Sequence, residues 1–166
     1  MTTIIEINTY SLEYHEAMQR FLDQLTSNPT TLTEEVCRQL LESPNSHLFF
    51  LLKDEEIAGM LTVGTYFSPT GGKAWIEDVV VDKTFRGQGL SKLLVAHAID
   101  FVKSQQIPLL MLTSNPKRVA ANKLYQAMGF ERKESNVYRM KPKTKKEKVF
   151  NFLLFVPRPG VEPGWK

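Results

Sequence analysis

The segment from residue 75 to 101 limits the possible folds more than any other. Trp75-Ile76, the carboxylates Glu77 and Asp78, and then Val79-Val80-Val81 read as a strand. A β-branched run of this kind suits a strand covered on both faces. After a short turn comes Arg86-Gly87-Gln88-Gly89-Leu90-Ser91, and from Leu90 the apolar residues fall at 90, 93, 94, 97/98 and 101, the spacing of one helical face. Gly87 and Gly89 allow a sharp turn and the close approach of a ligand to the main chain. The unpaired N–H groups at the start of the helix, with its dipole, then suit a phosphate or diphosphate.

Two common glycine-loop patterns do not fit. A P-loop needs G-x-x-x-x-G-K, and Phe67 stands where the first glycine before Gly72-Lys73 is required. A dinucleotide fingerprint starting at Gly87 needs glycine where Lys92 stands. What fits is Arg-x-x-Gly-x-(Gly/Ala) after a valine-rich strand, here Arg86 to Ser91. This resembles the acetyl-CoA-binding motif of the GNAT family of N-acetyltransferases. Ser91 departs from the family's last Gly/Ala, but it is small and able to cap a helix start.

A second anchor is Asn122-x-x-Tyr125 followed by Gly129-Phe130, which is similar to the family's other signature. The resemblance covers most of residues 1–140 and implies several roles. Arg86, Gly87, Gln88, Gly89, Leu90 and Ser91 hold the diphosphate of acetyl-CoA, and the backbone of Val79, Val80 and Val81 lies along the cofactor. Asn122 bonds the pantetheine arm, and Tyr125 gives a proton to the departing thiolate. Ile-Glu-Asp-Val-Val-Val also resembles the glucosamine-6-phosphate N-acetyltransferase branch, whose Glu-Asp pair lies at the amine site.

The chemistry explains these residue types. An alkylammonium with a pKa near 10.4 needs roughly 4.6 kcal/mol to become a neutral nucleophile at pH 7. A base in the cleft removes that obstacle. The thioester oxygen gains charge and needs an N–H donor, which a splayed strand supplies. Direct attack needs no covalent enzyme intermediate. Glu77 and Asp78 are the candidate bases. Strict alternation places Glu77 with Val79 and Val81, and Asp78 with Val80 and Asp82, so that one carboxylate faces the substrate. The alternative for Asp78 is a structural acceptor, and for Tyr125 a core aromatic. Trp75 is read as core.

Composition bounds the remainder. With 166 residues the chain is long enough for one domain with a sizeable core. Residues 1–140 carry 14 Lys/Arg against 16 Asp/Glu, and the last 26 residues carry 7 against 2, so the basic character belongs to the tail. The folded part therefore gives no argument for nucleic acid as a partner. Cys37 is the single cysteine, which excludes an intrachain disulfide, and it reads as a small buried hydrophobe. No leader peptide or membrane span is read, and the expected location is cytoplasmic. His15, His47 and His97 are scattered, and no metal site is expected.

In chain order the pattern predicts a strand at 2–7 and helices at 12–25 and from a Thr31-x-x-Glu34 capping box to 41. A hairpin of 47–53 and 57–67 turns at 54–56. A strand at 75–82, the helix from Leu90, a buried strand at 107–113, a helix opening at Asn115-Pro116 and ending at Gly129, and one or two closing strands within 130–140 complete it. The order is that of the GNAT fold, an α/β (α+β mixed) arrangement with a twisted mixed sheet of six to seven strands and about four helices. The acetyltransferase domain is placed at 1–142. Residues 143–166, basic and then Pro/Gly-rich around an apolar run at 150–156, read as a frayed extension rather than a dimer strand or membrane-surface patch.

The sequence thus leads to an acetyl-CoA-dependent N-acetyltransferase acting on a small-molecule primary amine, with no membrane or nucleic-acid partner. The alternatives are a protein N-terminal or lysine acetyltransferase, and a CoA-binding module without turnover. Dimerisation, common in the family, remains open at this point.

Overall fold

The computed structural model describes residues 1–26 and 31–142. Five strands form one sheet in the order β1 (Thr2–Ile7), β2 (Ser46–Lys53), β3 (Glu56–Ser68), β4 (Gly71–Val81) and β5 (Leu110–Leu112). The first four are antiparallel neighbours, and β5 runs parallel to β4. Among the described residues the helices are α1 (Leu12–Leu25), α2 (Glu34–Glu42), α3 (Leu90–Ser104) and α4 (Val119–Ala127), with a 3-10 turn at Lys83–Phe85. The sheet is mixed and flanked by four helices, as the sequence predicts, but it has five strands among the described residues instead of six or seven. No strand forms within 130–140. The run Glu131-Arg132-Lys133-Glu134-Ser135-Asn136 is polar throughout and poor in strand-forming residues.

Local chemistry sets the element ends. Ser11 caps α1 by accepting from Tyr14 N–H at 3.1 Å. Thr33, not Thr31, caps α2 by accepting from Val36 N–H. The β2–β3 hairpin turns at Asp54 and Glu55, both with positive φ (49° and 72°), as a tight two-residue turn requires. The predicted helix start at Asn115-Pro116 is instead a separate turn. There Asn115 Oδ1 accepts from Lys117 N–H, Asn115 O accepts from Arg118 N–H, and α4 begins only at Val119.

Two apolar clusters sandwich the sheet. On one face α3 sets Leu90, Leu94, Val95, Ala98 and Val102 against Phe49, Leu61, Val63, Ala74 and Ile76. On the other, α1 and α2 bring Met18, Phe21 and Cys37 against Leu48, Phe50, Met60 and Val80. Phe21 and Phe50 are fully buried and meet edge to face at 6.3 Å, each contributing about 1.5–3 kcal/mol by burial. Cys37 is fully buried as well.

By internal contacts the chain divides into two compact units, Met1–Arg132 and Lys133–Lys166. In the described part of the second, Asn136 Nδ2 donates to the Tyr138 hydroxyl at 3.4 Å. The basic run, the apolar stretch at 150–156 and the break at Asn28-Pro29 lie outside the described residues. Among the described residues no helix is long and apolar enough to cross a membrane.

Candidate active site

β5 pairs with β4 only at Ala74–Leu110, Trp75–Met111 and Ile76–Leu112. Beyond Ile76 the two strands part, while β4 stays paired with β3 on its other edge up to Val81. Residues 77–81 thus present one edge of main-chain N–H and C=O groups with no strand beside it among the described residues. Such groups need other partners.

The same stretch carries a bulge. Met60 faces Val80 and Thr62 faces Glu77, so Leu61 is opposed by both Asp78 and Val79. Asp78 absorbs the extra residue with φ 52°, a left-handed conformation that Asp tolerates better than most side chains. The bulge overturns the strict alternation expected for this strand. Val79 and Val81 join Ile76 against the α3 cluster, and Val80 joins the α1/α2 cluster. Glu77, out of phase with Ile76 and paired with Thr62, therefore shares its face with Val80 rather than with Val79 and Val81. Both carboxylates reach solvent. Burial of part of each side chain nevertheless pushes their pKa values up, and the Asp78 charge adds to the effect on Glu77.

The turn after β4 is built on Asp82, a buried polar residue. Its carboxylate accepts from Thr84 N–H (3.0 Å), the Thr84 hydroxyl (2.9 Å) and Gln24 Nε2 (3.2 Å), and pairs with Arg20 Nε at 3.2 Å. Burial alone raises its pKa, but these donors outweigh it and hold the group below the ordinary Asp value. Gln24 Oε1 accepts from Lys83 N–H at 2.9 Å, which ties the turn to α1. The sequence reading placed Asp82 on a strand face and missed this role. The Asp82-x-Thr84 spacing, which lets a side chain cap its own turn, was the available signal.

Gly87 and Gly89 follow with φ of 79° and 74°. A Cβ at either would meet nothing within 4 Å, so the loop is open above both residues. Gly89 is the N-cap of α3 with no side-chain cap, and Leu90, which is buried, begins the helix. Ser91 is the second helical residue and does not cap. Among the described residues the N–H groups of 87–91 donate to no carbonyl, and the first bond of the turn is Lys92 N–H to Gly89 O. Arg86 Nε donates to Val81 O at 3.2 Å, and Arg86 and Gln88 are exposed. An open row of unpaired N–H groups at a helix start is a donor set that fits a diphosphate.

On α4, Asn122 Nδ2 donates to Asn115 O and Arg118 O, both at 2.9 Å, so only Oδ1 remains for a ligand. Tyr125 meets Phe130 edge to face at 6.0 Å and packs against the α3 cluster, as Val79 and Val81 do. Burial pushes its phenol pKa up, and the Arg118 guanidinium partly offsets this. Arg118 Nη2 also donates to Leu25 O at the end of α1, 2.8 Å away. No sequence pattern pointed to that link.

Trp75, expected in the core, belongs to neither cluster and is half-buried. A cavity of about 1150 Å³ lies along α1 beside Glu56, Ile57 and the 82–85 turn, and Glu77, Asp78 and Tyr125 do not line it. It is open and adjoins the structural Asp82 hub, so the parted strands remain the better candidate for chemistry. Among the described residues no group of three or more His, Cys, Asp or Glu converges.

A sequence model described as the acetyltransferase (GNAT) family matches residues 10–130. The N-acetylaspartate synthetase of Rattus norvegicus is 22% identical over 130 residues, covering 78% of this chain and 43% of that protein. N-alpha-acetyltransferase 30 of Saccharomyces cerevisiae is 37% identical over 60 residues, 36% of this chain and 34% of that protein. The chain thus spans less than half the length of the curated relatives it matches. Among solved structures, an aminoglycoside acetyltransferase, meta-AAC0020, from an uncultured soil metagenomic sample superposes with a TM-score of 0.73 at 18% identity, covering 86% of this chain and 97% of that one. Glucosamine-6-phosphate N-acetyltransferase from Arabidopsis thaliana gives 0.67 at 23% identity, covering 84% and 98%.

Proposed function

Because the chain belongs to the acetyltransferase (GNAT) family, we propose that it is an acetyl-CoA-dependent N-acetyltransferase that moves an acetyl group to a primary amine of a small molecule by direct attack. The observation that carries this reading is the parting of β4 from β5 after Ile76 and Leu112, beside the Glu77–Asp78 bulge.

In this reading the unpaired N–H groups of 87–91 hold the diphosphate, with Arg86 and Gln88 flanking it. The free edge of Val79 to Val81 runs along the pantetheine arm and offers an N–H to the thioester oxygen. Asn122 accepts from an amide of the arm through Oδ1. Glu77 lies on the α1/α2 face and Tyr125 packs on the α3 face, so the proton is taken up on one side of the gap and released on the other. A raised carboxyl pKa makes Glu77 the stronger proton acceptor, and a raised phenol pKa keeps Tyr125 protonated at neutral pH. Asp78 shares the amine site and holds the bulge.

Small-molecule acceptors are favoured because similar proteins are named for an aminoglycoside and for N-acetylaspartate. One observation supports a peptide N-terminus as the second reading, the 60-residue match to N-alpha-acetyltransferase 30. Free thiol released from acetyl-CoA, measured against an amine panel and a peptide with a free N-terminus, separates the two. Glu77→Gln is expected to lower kcat about 100-fold with acetyl-CoA affinity unchanged. Unaltered turnover at neutral pH removes Glu77 as base. Tight acetyl-CoA binding with no amine-dependent thiol would leave a binding module.

A further inference from the structure

On the face of β4 that looks toward α1 and α2, Lys73, Trp75 and Glu77 stand at alternate positions. Opposite them on β3 are Tyr66, Gly64 and Thr62. Among the described residues, the buried apolar contacts of the two helices on this face lie at Leu48, Phe50, Met60 and Val80, no nearer the β3–β4 hairpin tip than the row of Thr62 and Glu77. Thr62, Gly64 and Trp75 are half-buried and Tyr66 is exposed, and neither aromatic belongs to a core cluster. The Trp75 indole N–H donates to the Tyr66 phenol oxygen at 3.5 Å, so the ring leans toward the hairpin tip. A Cβ at Gly64 would meet nothing within 4 Å. The indole therefore does not lie over its glycine neighbour, which is how aromatic rings often cover a strand glycine. A tryptophan that neither enters the core nor shields a glycine has ring surface left for something else.

We propose that the space over Gly64, walled by Trp75 and Tyr66 and ending at Glu77, receives the ring of a ring-bearing amine, either a carbohydrate or an aryl ring. The inference rests on the Glu77 reading above. Glu77 is two residues beyond Trp75 on the same face, roughly 7 Å along the strand, so an amino nitrogen on or just outside a stacked ring reaches the carboxylate. The other end of the platform is cationic. Lys73 Nζ bonds the Ser68 and Thr70 hydroxyls and stands 5.7 Å from the Tyr66 ring centre. A second ammonium is repelled there, which selects against linear diamines and for a neutral or anionic body.

The test measures thiol release from acetyl-CoA with phenethylamine, glucosamine and putrescine, using the full chain and its Gly64→Val, Trp75→Ala and Trp75→Phe forms. Gly64 does not sit in the left-handed region and has room for a side chain, so valine there keeps the fold while filling the space. The expected result is a higher kcat/KM for a ring amine than for putrescine. Gly64→Val and Trp75→Ala should raise KM for that ring amine about tenfold or more, Trp75→Phe should restore part of it, and the acetyl-CoA Kd should stay fixed. The ring amine that responds identifies the ring. Preference for putrescine, an equal loss for all amines, or an unchanged KM in a folded Gly64→Val protein overturns the platform, while a Glu77→Gln defect would keep the transferase reading standing. No amine-dependent thiol from phenethylamine or glucosamine overturns the platform, while the transferase reading falls only if the whole amine panel and the peptide release none.

Discussion

Two carboxylates side by side in a strand beside an apolar run are unusual, and their environment gives their titration a definite sign. Burial raises both pKa values, and the Asp78 charge raises Glu77 further. A group whose pKa in the folded state lies above its unfolded value contributes stability that is full below the unfolded value. That stability is lost as pH rises through the folded one. The ionised pair therefore weighs against folding at neutral pH. Glu77→Gln and Asp78→Asn should unfold at a higher temperature than the parent at pH 7 to 8, and the difference should shrink as pH falls into the ordinary carboxyl range. Asn is the right probe at 78 because it also tolerates φ 52°, so the comparison isolates charge from strain. Thermal unfolding across pH reads this directly. A Glu77→Gln protein no more stable than the parent at pH 8 would mean that the carboxylate has a compensating partner. Asp82 has the opposite sign. Its pKa is held down, so its contribution is present above the unfolded value and is lost on acidification.

Between elements, the contact that holds α3 against the sheet passes over Gly59 of β3. A Cβ there would lie 2.8 Å from Val80 O and 3.2 Å from Leu94 Cδ1. The first obstacle is backbone on the bulged strand and cannot swing aside. Gly59→Ala should therefore destabilise by about 1–3 kcal/mol, whereas Gly64→Val on the same strand should not. Chemical denaturation of the two variants checks the pair, and equal stability would show that β4 yields easily at the bulge. How much of this was legible in sequence varies by element. The α1 span, the β2–β3 hairpin and the loop-to-α3 transition follow from periodicity, caps and turn chemistry that act locally. The start of β4 did not, because the strand expected from 75 is extended back over Gly71, Gly72 and Lys73 by their pairing with Ser68, Phe67 and Tyr66. The bulge was also hidden. Alternation carries no sign of an inserted residue, and the Glu77-Asp78 pair hinted at the place without giving the phase. For Trp75, residue type pointed inward, and only the register shows that it stands beyond the end of the α1/α2 cover.

For the whole chain, the decisive facts are where the candidate site lies and where the charge lies. Every residue assigned a role above falls within the unit Met1–Arg132, and the family match ends at residue 130. Residues 1–142 carry 15 Lys/Arg and 16 Asp/Glu, so ending the chain at 142 shifts the formal net charge from +3 to −1. We propose that 143–166 lie outside the acetyltransferase domain. A protein ending at residue 142 should then keep its melting temperature, its acetyl-CoA Kd and its kcat for the best amine. One change is expected from charge alone. A less positive chain attracts a cationic amine more strongly at low salt, so KM should fall slightly in dilute buffer. That effect should fade near 0.15 M salt, where exposed charges are screened beyond about 8 Å. Kinetics of both chain lengths across ionic strength separate the two contributions. A kcat loss that persists at high salt would show that residues beyond 142 complete the site, and would move the domain boundary toward the C-terminus.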